Sequence, residues 1–324
     1  QQNFPFIPAC GYAAAYGKMK EFHGEIVKRV FIARKLAVFK QTEINMQELD
    51  ILTEQGVVPA LVAGVKEFRE KYPAGEEDRK RIIAPAMPFY GREILEMAIA
   101  ALLEGENLLL TGPKATGKNV LAENLAWIFG RPSYNVSFHV NTGSAELVGT
   151  DTFRNNQVEL RKGSVCLCAE QGGFGILDEI NMAKNEAVSV LHAALDDRRY
   201  MDVPGYERIR LHDAARFIAT MNHGYAGTRE LNEALVSRFM VIDMPKQSGD
   251  TLRKILEENF SDVNSDMLEQ FVGVFLDLQE KAENGEISTK ALDLRGMIAA
   301  LGAVRCGLSP ASAMRMGIVN KCFD

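Results

Sequence analysis

The sequence predicts an α/β fold in which a five-stranded parallel sheet lies between helices. From residue 85 onward, short apolar runs alternate with helical stretches, which is the pattern of parallel strands joined by crossover helices. Most of these runs contain few polar residues, as expected for strands that are covered on both faces. After Pro245 the pattern becomes purely helical, which predicts a second, small all-α domain.

This change of pattern divides the chain into three predicted segments: a helical N-terminal segment of unknown role (1–84), an α/β domain (85–245) and an α-helical lid domain (246–324). In the first segment, apolar residues recur at helical spacing within residues 22–37 and 57–68, and residues 72–81 are interpreted as a linker. The predicted strands are 108–110, 134–138, 174–177, 216–220 and 240–242. The helices expected in the lid lie near 250–260, 265–283, 289–304 and 310–320.

The composition of the 324-residue chain is that of a globular protein, with 47% hydrophobic and 25% charged residues. The longest apolar stretches, 97–103 and 298–304, are far shorter than the roughly 20 residues that a membrane-spanning helix needs. The first residues lack the features of a signal peptide. We therefore expect a cytoplasmic protein without a membrane span.

The cysteines and the net charge indicate the cellular compartment and the class of binding partner. None of the five cysteines forms a C-x-x-C pair, which agrees with a reducing compartment. Cys166 and Cys168 could bind a metal, but we interpret them as two same-face residues of a strand. The formal net charge of -6 and the lack of a basic stripe make nucleic acid a weaker candidate partner than protein.

A glycine-rich motif after the first strand carries the clearest chemistry. It matches G-x-x-x-x-G-K and consists of Gly112, Pro113, Lys114, Ala115, Thr116, Gly117, Lys118 and Asn119. Its backbone N–H groups and the following helix N-terminus suit a phosphate, and Lys118 would reach the β and γ phosphates of ATP. Asn119 stands where such loops carry a serine or threonine ligand for Mg²⁺, and its amide oxygen can also bind the ion. ATP binding should survive this change, whereas fast hydrolysis is left open.

Two later strands end in polar residues. The strand at 174–177 is followed by Asp178 and Glu179, a pair typical of a Walker B motif. Asp178 would hold the Mg²⁺ shell, and Glu179 would orient and polarise the attacking water. Asn222 follows the strand at 216–220 and would hydrogen-bond the water or the γ-phosphate, although alone it could simply turn the chain.

Three cations complete the set of candidate residues. Arg238 comes just before the fifth strand, and Arg295 lies in the predicted lid, five residues after Lys290. Taken alone, each of them is an ordinary surface cation.

The ordered set of these motifs resembles the MoxR branch of the AAA+ ATPases, nearer its CbbQ, NirQ and NorQ members, over about residues 85–324. The resemblance implies that Asn222 is a sensor 1 residue and that Arg238 is an arginine finger for the ATP of a neighbouring subunit. It implies that Arg295, with Lys290 as second choice, is a sensor 2 cation. Two segments, 150–162 and 200–211, resemble the hairpin insertions of that branch, although both could be ordinary surface hairpins.

The resemblance also implies a homo-oligomeric ring, expected to be a hexamer. Such a ring would remodel or mature a protein client together with an adaptor that carries a von Willebrand factor A domain. Two other functions stay open. A nucleic-acid motor, like the nucleotidase subunit of a restriction system, would need a basic stripe on the two hairpins, whose charges nearly balance. An ATP-binding scaffold with weak hydrolysis would follow if Asn119 impairs the Mg²⁺ site.

Overall fold

Five parallel strands form the central sheet of the computed structural model, which describes residues 49–154, 156–203, 205–222 and 229–322. The strands are β1 (Leu108–Thr111), β2 (Ser133–Ser137), β5 (Phe174–Asp178), β8 (Arg216–Thr220) and β9 (Met240–Asp243). Their order is β2-β5-β8-β1-β9, and all neighbours are parallel. The predicted α/β fold is therefore confirmed.

Helices and two hairpins surround this sheet. The helices are α1 (Pro59–Lys71), α2 (Arg92–Glu104), α3 (Lys118–Ile128), α4 (Ser144–Val148), α5 (Ser164–Gln171), α6 (Asn185–Val188), α7 (Leu191–Ala194) and α8 (Glu233–Val236). The first hairpin pairs β3 (Gly149–Arg154) with β4 (Gln157–Lys162), and the second pairs β6 (Tyr200–Met201) with β7 (Ile209–Arg210). The second lies within the predicted segment 200–211, and the first occupies the predicted segment 150–162 but begins one residue earlier, at Gly149.

The sheet is covered on both faces in its centre but not at its β9 edge. Every residue of β1 and β8 is buried, as are the first four of β5, which accounts for the apolar character of these strands. On β9, in contrast, Met240 and Val241 are 52% and 51% exposed. Apolar sequence therefore marks the three central strands as buried, but it does not distinguish them from this edge strand.

Helix α1 packs on the sheet domain through Phe68 and Arg69. The Phe68 ring meets the Phe129 ring edge-on, with centroids 5.0 Å apart. Arg69 Nη1 donates to the carbonyl oxygen of Ile128 at 3.1 Å. This helix therefore belongs to the same packed body as α3, which carries the P-loop lysine.

The segment predicted as a linker, residues 72–81, is also held in place. Arg131 Nη1 donates to the carbonyl oxygen of Tyr72 at 2.6 Å, and the Arg81 guanidinium lies 4.7 Å from the centre of the Tyr134 ring. The described residues from Thr53 onward belong to one compact unit. The predicted domain limits at residues 84 and 245 stay predictions, and the helical spacing within 22–37 lies outside the described residues.

The C-terminal part is helical, as predicted, with α9 (Gly249–Asn259), α10 (Ser265–Glu283), α11 (Leu294–Arg305) and α12 (Pro310–Gly317). They enclose a core of their own that contains Leu252, Phe275, Met297 and Leu301. Helices α11 and α12 cross at two glycines: a Cβ atom on Gly296 would lie 2.1 Å from the carbonyl oxygen of Gly317. No helix among the described residues is long and apolar enough to cross a membrane.

Two local predictions were wrong. Cys166 and Cys168 lie on helix α5 and not on a strand, because the short run of apolar residues around them fits either element and is settled by packing. The helix expected over residues 289–304 is broken into a 3₁₀ turn at Thr289–Ala291 and α11. Asp293 caps α11 by accepting the N–H of Gly296 at 3.0 Å, which sets the start of the helix.

Candidate functional site

The glycine-rich loop curls between β1 and α3. Gly112 has a φ of 131°, and a Cβ atom there would lie 2.8 Å from the carbonyl oxygen of Met244. Gly117, at a φ of 86°, precedes the first turn of α3. The first N–H groups of a helix have no acceptor within the helix, so they are available to an anion such as a phosphate at this loop.

Lys118 begins α3 and turns its ammonium back into the loop. The residue is buried, and Nζ donates to the carbonyl oxygens of Gly112 at 3.0 Å and of Pro113 at 2.7 Å. A third acceptor, Thr116 Oγ1, lies at 3.3 Å. Because a phosphate oxygen is a stronger acceptor for an ammonium than a neutral carbonyl, the lysine can exchange these partners for a phosphate.

Three carboxylates act on this ammonium. Burial lowers the pKa of Lys118 to about 8, while Asp178, Glu179 and Asp243 act in the opposite direction. Both predicted Walker B acids therefore lie within electrostatic range of the P-loop lysine. Asp243, at the end of β9, was not singled out from the sequence; its Oδ1 accepts from Thr111 Oγ1 at 3.2 Å.

A threonine of the neighbouring strand joins Asp178 to Glu179. Thr220, at the end of β8, is 1% exposed. Its Oγ1 donates to Asp178 Oδ1 at 2.7 Å and accepts the backbone N–H of Glu179 at 3.0 Å. Glu179 itself has the left-handed backbone conformation, with φ 55° and ψ 46°. Thr220 lies only two residues before Asn222, but its sequence surroundings did not predict a place in the site.

Asn222 contacts the candidate catalytic carboxylate directly. Its Nδ2 donates to Glu179 Oε1 at 3.2 Å. Its carbonyl oxygen accepts from Asn181 Nδ2 at 3.0 Å, and Asn181 is buried. The structure thus ties the predicted sensor 1 residue to the end of β5 at two points.

Asn119 is the second residue of α3 and is partly buried. Within the part of the chain that the structure describes, its side-chain amide has no hydrogen-bond partner. Asp178 Oδ1 accepts from Thr220, which leaves Oδ2 available to an ion or to its water. Carboxylate and amide oxygens are the donors that Mg²⁺ prefers, so the chemistry of these two residues fits the ion.

Polar contacts connect the lid to the P-loop side of the sheet domain. Burial, together with the nearby carboxylate of Glu258 on α9, raises the pKa of the Tyr90 hydroxyl. The ammonium of Lys254, also on α9, lies 4.3 Å from the centre of the Tyr90 ring. Lys114 of the P-loop lies within electrostatic range of Asp293, the residue that caps α11.

Arg295, one of the two sensor 2 candidates, lies on the first turn of α11. Burial raises the pKa of Glu123 on the P-loop helix; Arg295 opposes this rise and Asp178 adds to it. Glu123 thus lies within electrostatic range of both Arg295 and Asp178. Lys290, the second candidate, lies on the 3₁₀ turn before α11.

Arg238 lies in different surroundings. Its Nη1 donates to the carbonyl oxygen of Ala234, and its Nη2 is 3.4 Å from Asp196 Oδ2. Hydrogen bonds from Arg198, and to a smaller extent from Arg238, lower the pKa of Asp196 to about 2. Arg238 Nε is buried and finds no hydrogen-bond partner in the described ranges. These polar contacts of Arg238 do not involve the P-loop of its own chain.

The site therefore has the composition of a P-loop nucleotide-binding domain, and comparison with known proteins identifies its family. The family model for the AAA domain of the dynein-related subfamily matches residues 107–239, which include the P-loop, both Walker B acids, Asn222 and Arg238. The chain therefore contains an AAA domain over these residues.

Curated relatives place the chain more closely. It is 36% identical over 236 residues to the uncharacterised protein YojN of Bacillus subtilis, covering 71% of this chain and 77% of that protein. An uncharacterised protein of Staphylococcus epidermidis is 32% identical over 211 residues, which is 63% of this chain and 80% of the relative. The chain thus belongs to the same protein family as YojN.

Among solved structures, the chain is similar to a proposed ATPase from Cytophaga hutchinsonii. The match covers 86% of this chain and 83% of that one, at 15% identity and a TM-score of 0.43. A likeness at this level carries no argument about function.

Proposed function

We propose that this chain binds and hydrolyses ATP as one subunit of a ring-forming AAA+ ATPase of the MoxR type. One observation carries the proposal: the buried ammonium of Lys118 lies within electrostatic range of the Asp178 and Glu179 carboxylates. A P-loop lysine binds phosphates, and a carboxylate beside it supplies the group that activates water. The AAA domain over residues 107–239 supports the same activity.

Each side chain has a part in binding the nucleotide. The N–H groups at the start of α3 and the Lys118 ammonium would hold the β and γ phosphates. Asp178 and Asn119 would hold Mg²⁺, directly or through water. The bound ion would neutralise charge on the phosphates. Arg295 would approach the nucleotide from the lid.

Hydrolysis needs a base and a means to orient it. Glu179 would accept the proton of the attacking water, because its carboxylate lies at the open end of β5. Asn222 donates to Glu179 Oε1 at 3.2 Å, which fixes the carboxylate and leaves Oε2 to the water. Glu179 would thus be the general base, and Asn222 would hold its carboxylate in position.

Completion of the site would require a neighbour. Arg238 contacts Asp196 and not its own P-loop, which supports a role toward the ATP of the next subunit. A cation supplied in trans stabilises charge on the transferring phosphoryl group and makes hydrolysis depend on assembly. An interface of this kind is head-to-tail and closes into a ring, for which we propose a hexamer.

The two hairpins support a protein client. Tyr206, between β6 and β7, donates to Asp151 of β3 at 2.7 Å, so the two hairpins are in contact. Phe153 and Val158 are paired across the first hairpin and are 72% and 60% exposed. An exposed apolar pair suits a protein better than a phosphate backbone. We propose remodelling or maturation of a protein client in the cytoplasm, with a von Willebrand factor A domain adaptor, as in the family that the motifs resemble.

Steady-state phosphate release by the purified chain, with ATP and Mg²⁺, tests the enzymatic proposal. We expect turnover in the parent and a near-complete loss in Glu179→Gln, because the amide keeps the size of the side chain and loses the base. ATP affinity should be retained. Glu77→Gln, which changes an exposed glutamate paired with Lys80, is the matched control. Turnover of Glu179→Gln within a small factor of the parent would exclude Glu179 as the base.

The same assay separates the other two functions. An ATP-binding scaffold would show tight nucleotide binding and no phosphate release above the Glu179→Gln background, and it is favoured by the unusual Asn119. A nucleic-acid motor would be stimulated by DNA or RNA. Pull-down from the native cell, followed by identification of the retained protein, would reveal the client and any adaptor.

A further inference from the structure

Thr220 occupies a place where two strands of the sheet stop pairing. The register of β5 and β8 pairs Leu177 with Ala219, and the next residues of the two strands are Asp178 and Thr220. Beyond this pair the backbone N–H of Glu179 bonds to a side chain, Thr220 Oγ1, at 3.0 Å. A hydroxyl therefore replaces the main-chain partner that a continued ladder would supply.

The Thr220 hydroxyl donates one hydrogen bond and accepts another at the same time. Its proton goes to Asp178 Oδ1, 2.7 Å away, and a lone pair receives the Glu179 N–H. A hydroxyl has one proton to donate, so the donor bond fixes the direction of that proton toward the carboxylate. The two bonds lock the Asp178 carboxylate and the Glu179 backbone to one buried atom.

Glu179 needs such a restraint because its backbone is in the left-handed region, with φ 55°. This conformation is unfavourable for a residue with a Cβ atom. It also directs the Glu179 side chain to Asn222, with Nδ2 and Oε1 3.2 Å apart. Loss of the hydrogen bond from the Glu179 N–H to Thr220 Oγ1 would free the Glu179 backbone. The Glu179 carboxylate, whose position depends on that backbone, would then also become free to move.

We propose that Thr220 is a positioning residue that couples the Mg²⁺-binding carboxylate to the catalytic one. This inference rests on the proposed ATPase function. Through Asp178, Thr220 sets the orientation of an oxygen donor for Mg²⁺. Through the N–H of Glu179, it sets the position of the base. Partners of metal-binding side chains typically change metal affinity or activity by about 10–100-fold when they are removed.

The test compares Thr220→Val, which keeps the shape and removes the hydroxyl, with Thr220→Ser, which keeps the hydroxyl and removes the methyl group. In the valine variant, kcat for phosphate release should fall about 10–100-fold, with a smaller change in KM for ATP. The Mg²⁺ concentration for half-maximal rate should rise. Thr220→Ser should restore both values to within about threefold of the parent.

Thr142→Val is the matched control. Thr142 is also buried, and its hydroxyl accepts the backbone N–H of His139 at 2.9 Å, but among the described residues it has no hydrogen bond to a carboxylate. This variant should keep the kcat and the Mg²⁺ dependence of the parent. Thermal melting of all variants reports the stability change of each. If Thr220→Val does not fold, Thr220→Ala replaces it in the same comparison.

A second readout does not depend on turnover: the factor by which Mg²⁺ strengthens binding of a fluorescent ATP analogue. Thr220→Val should reduce this factor and Thr220→Ser should retain it. If the parent binds nucleotide but releases no phosphate, the proposed hydrolysis fails while this readout still tests Thr220. Parent-like kcat and parent-like Mg²⁺ dependence in Thr220→Val, or failure of Thr220→Ser to restore them, would overturn the inference.

Discussion

Lys118 and Arg238 differ in the carboxylates that surround them. Lys118 is buried and lies in range of Asp178 and Glu179, residues 60 or more positions away in the chain. Arg238 is paired with Asp196, outside the P-loop. In the first region, a single chain brings together the P-loop lysine and both Walker B carboxylates. The second is a cation held apart from these residues, as expected of a group that serves another subunit.

Among the predicted changes, replacement of Lys118 should have the largest effect, which is on ATP binding. Lys118→Ala removes the ammonium that a P-loop directs at the β and γ phosphates, so ATP binding should be lost within the range of a titration. Nucleotide titration by calorimetry is the measurement. Lys66→Ala, on the outer side of α1, is the control. Unchanged affinity in Lys118→Ala would remove the basis for treating this loop as the nucleotide site.

Replacement of Arg238 tests whether the second region serves a neighbour. Arg238→Ala should keep ATP binding and lower turnover on the order of a thousandfold or more, the size of effect known for arginine fingers. Mixing it with Glu179→Gln should restore part of the turnover, because some interfaces then combine an intact Glu179 with an intact Arg238. The measurement is phosphate release across mixing ratios.

Mixtures shown to contain mixed rings decide the outcome. Recovered turnover supports a trans role for Arg238. No recovery would instead assign Arg238 to the structure of its own subunit, through its pair with Asp196, and the contrast between the two regions would then be one of stability and not of catalysis.

A smaller effect should come from pH, through the protonation of Lys118, and should change the affinity for ATP. The pKa of Lys118 is about 8 without ligand, and a bound phosphate would raise it. Binding then takes up a proton as the free Lys118 loses its own, so ATP affinity should change little up to pH 7 and fall to about half of its plateau value by pH 8. Above pH 8 it should fall by about tenfold per unit, until the pKa of the complex is reached. Titrations from pH 7 to 9.5 measure this slope.

Lys118→Arg provides the control for the pH effect, because a guanidinium stays protonated over this range. Its affinity should be weaker than that of the parent and should show no such slope. A parent affinity that is flat to pH 9.5 would mean that Lys118 keeps its proton throughout, against the burial that lowers its pKa.

The sequence predicted the P-loop because its information lies in eight adjacent residues and their flanking strand and helix. It also placed Asp178, Glu179 and Asn222 at strand ends, where the structure brings them together. Thr220 and Asn181 were missed because their contacts join residues about 40 positions apart, and nothing local distinguishes them. The assignment of Cys166 and Cys168 to a strand failed for a related reason, since a short apolar run does not determine its own secondary structure.

One contact at the edge of the P-loop has a thermodynamic consequence. Gln247 Nε2 donates to the carbonyl oxygen of Thr116 at 2.8 Å, and Gln247 lies where the chain passes from β9 into the helices of the lid. A change in lid orientation that moves this amide must either displace the P-loop main chain or break the bond. Because coupling between two binding equilibria is reciprocal, any lid orientation that ATP favours must favour ATP by the same factor. The Gln247 amide is therefore one contact through which lid orientation and nucleotide affinity would be linked.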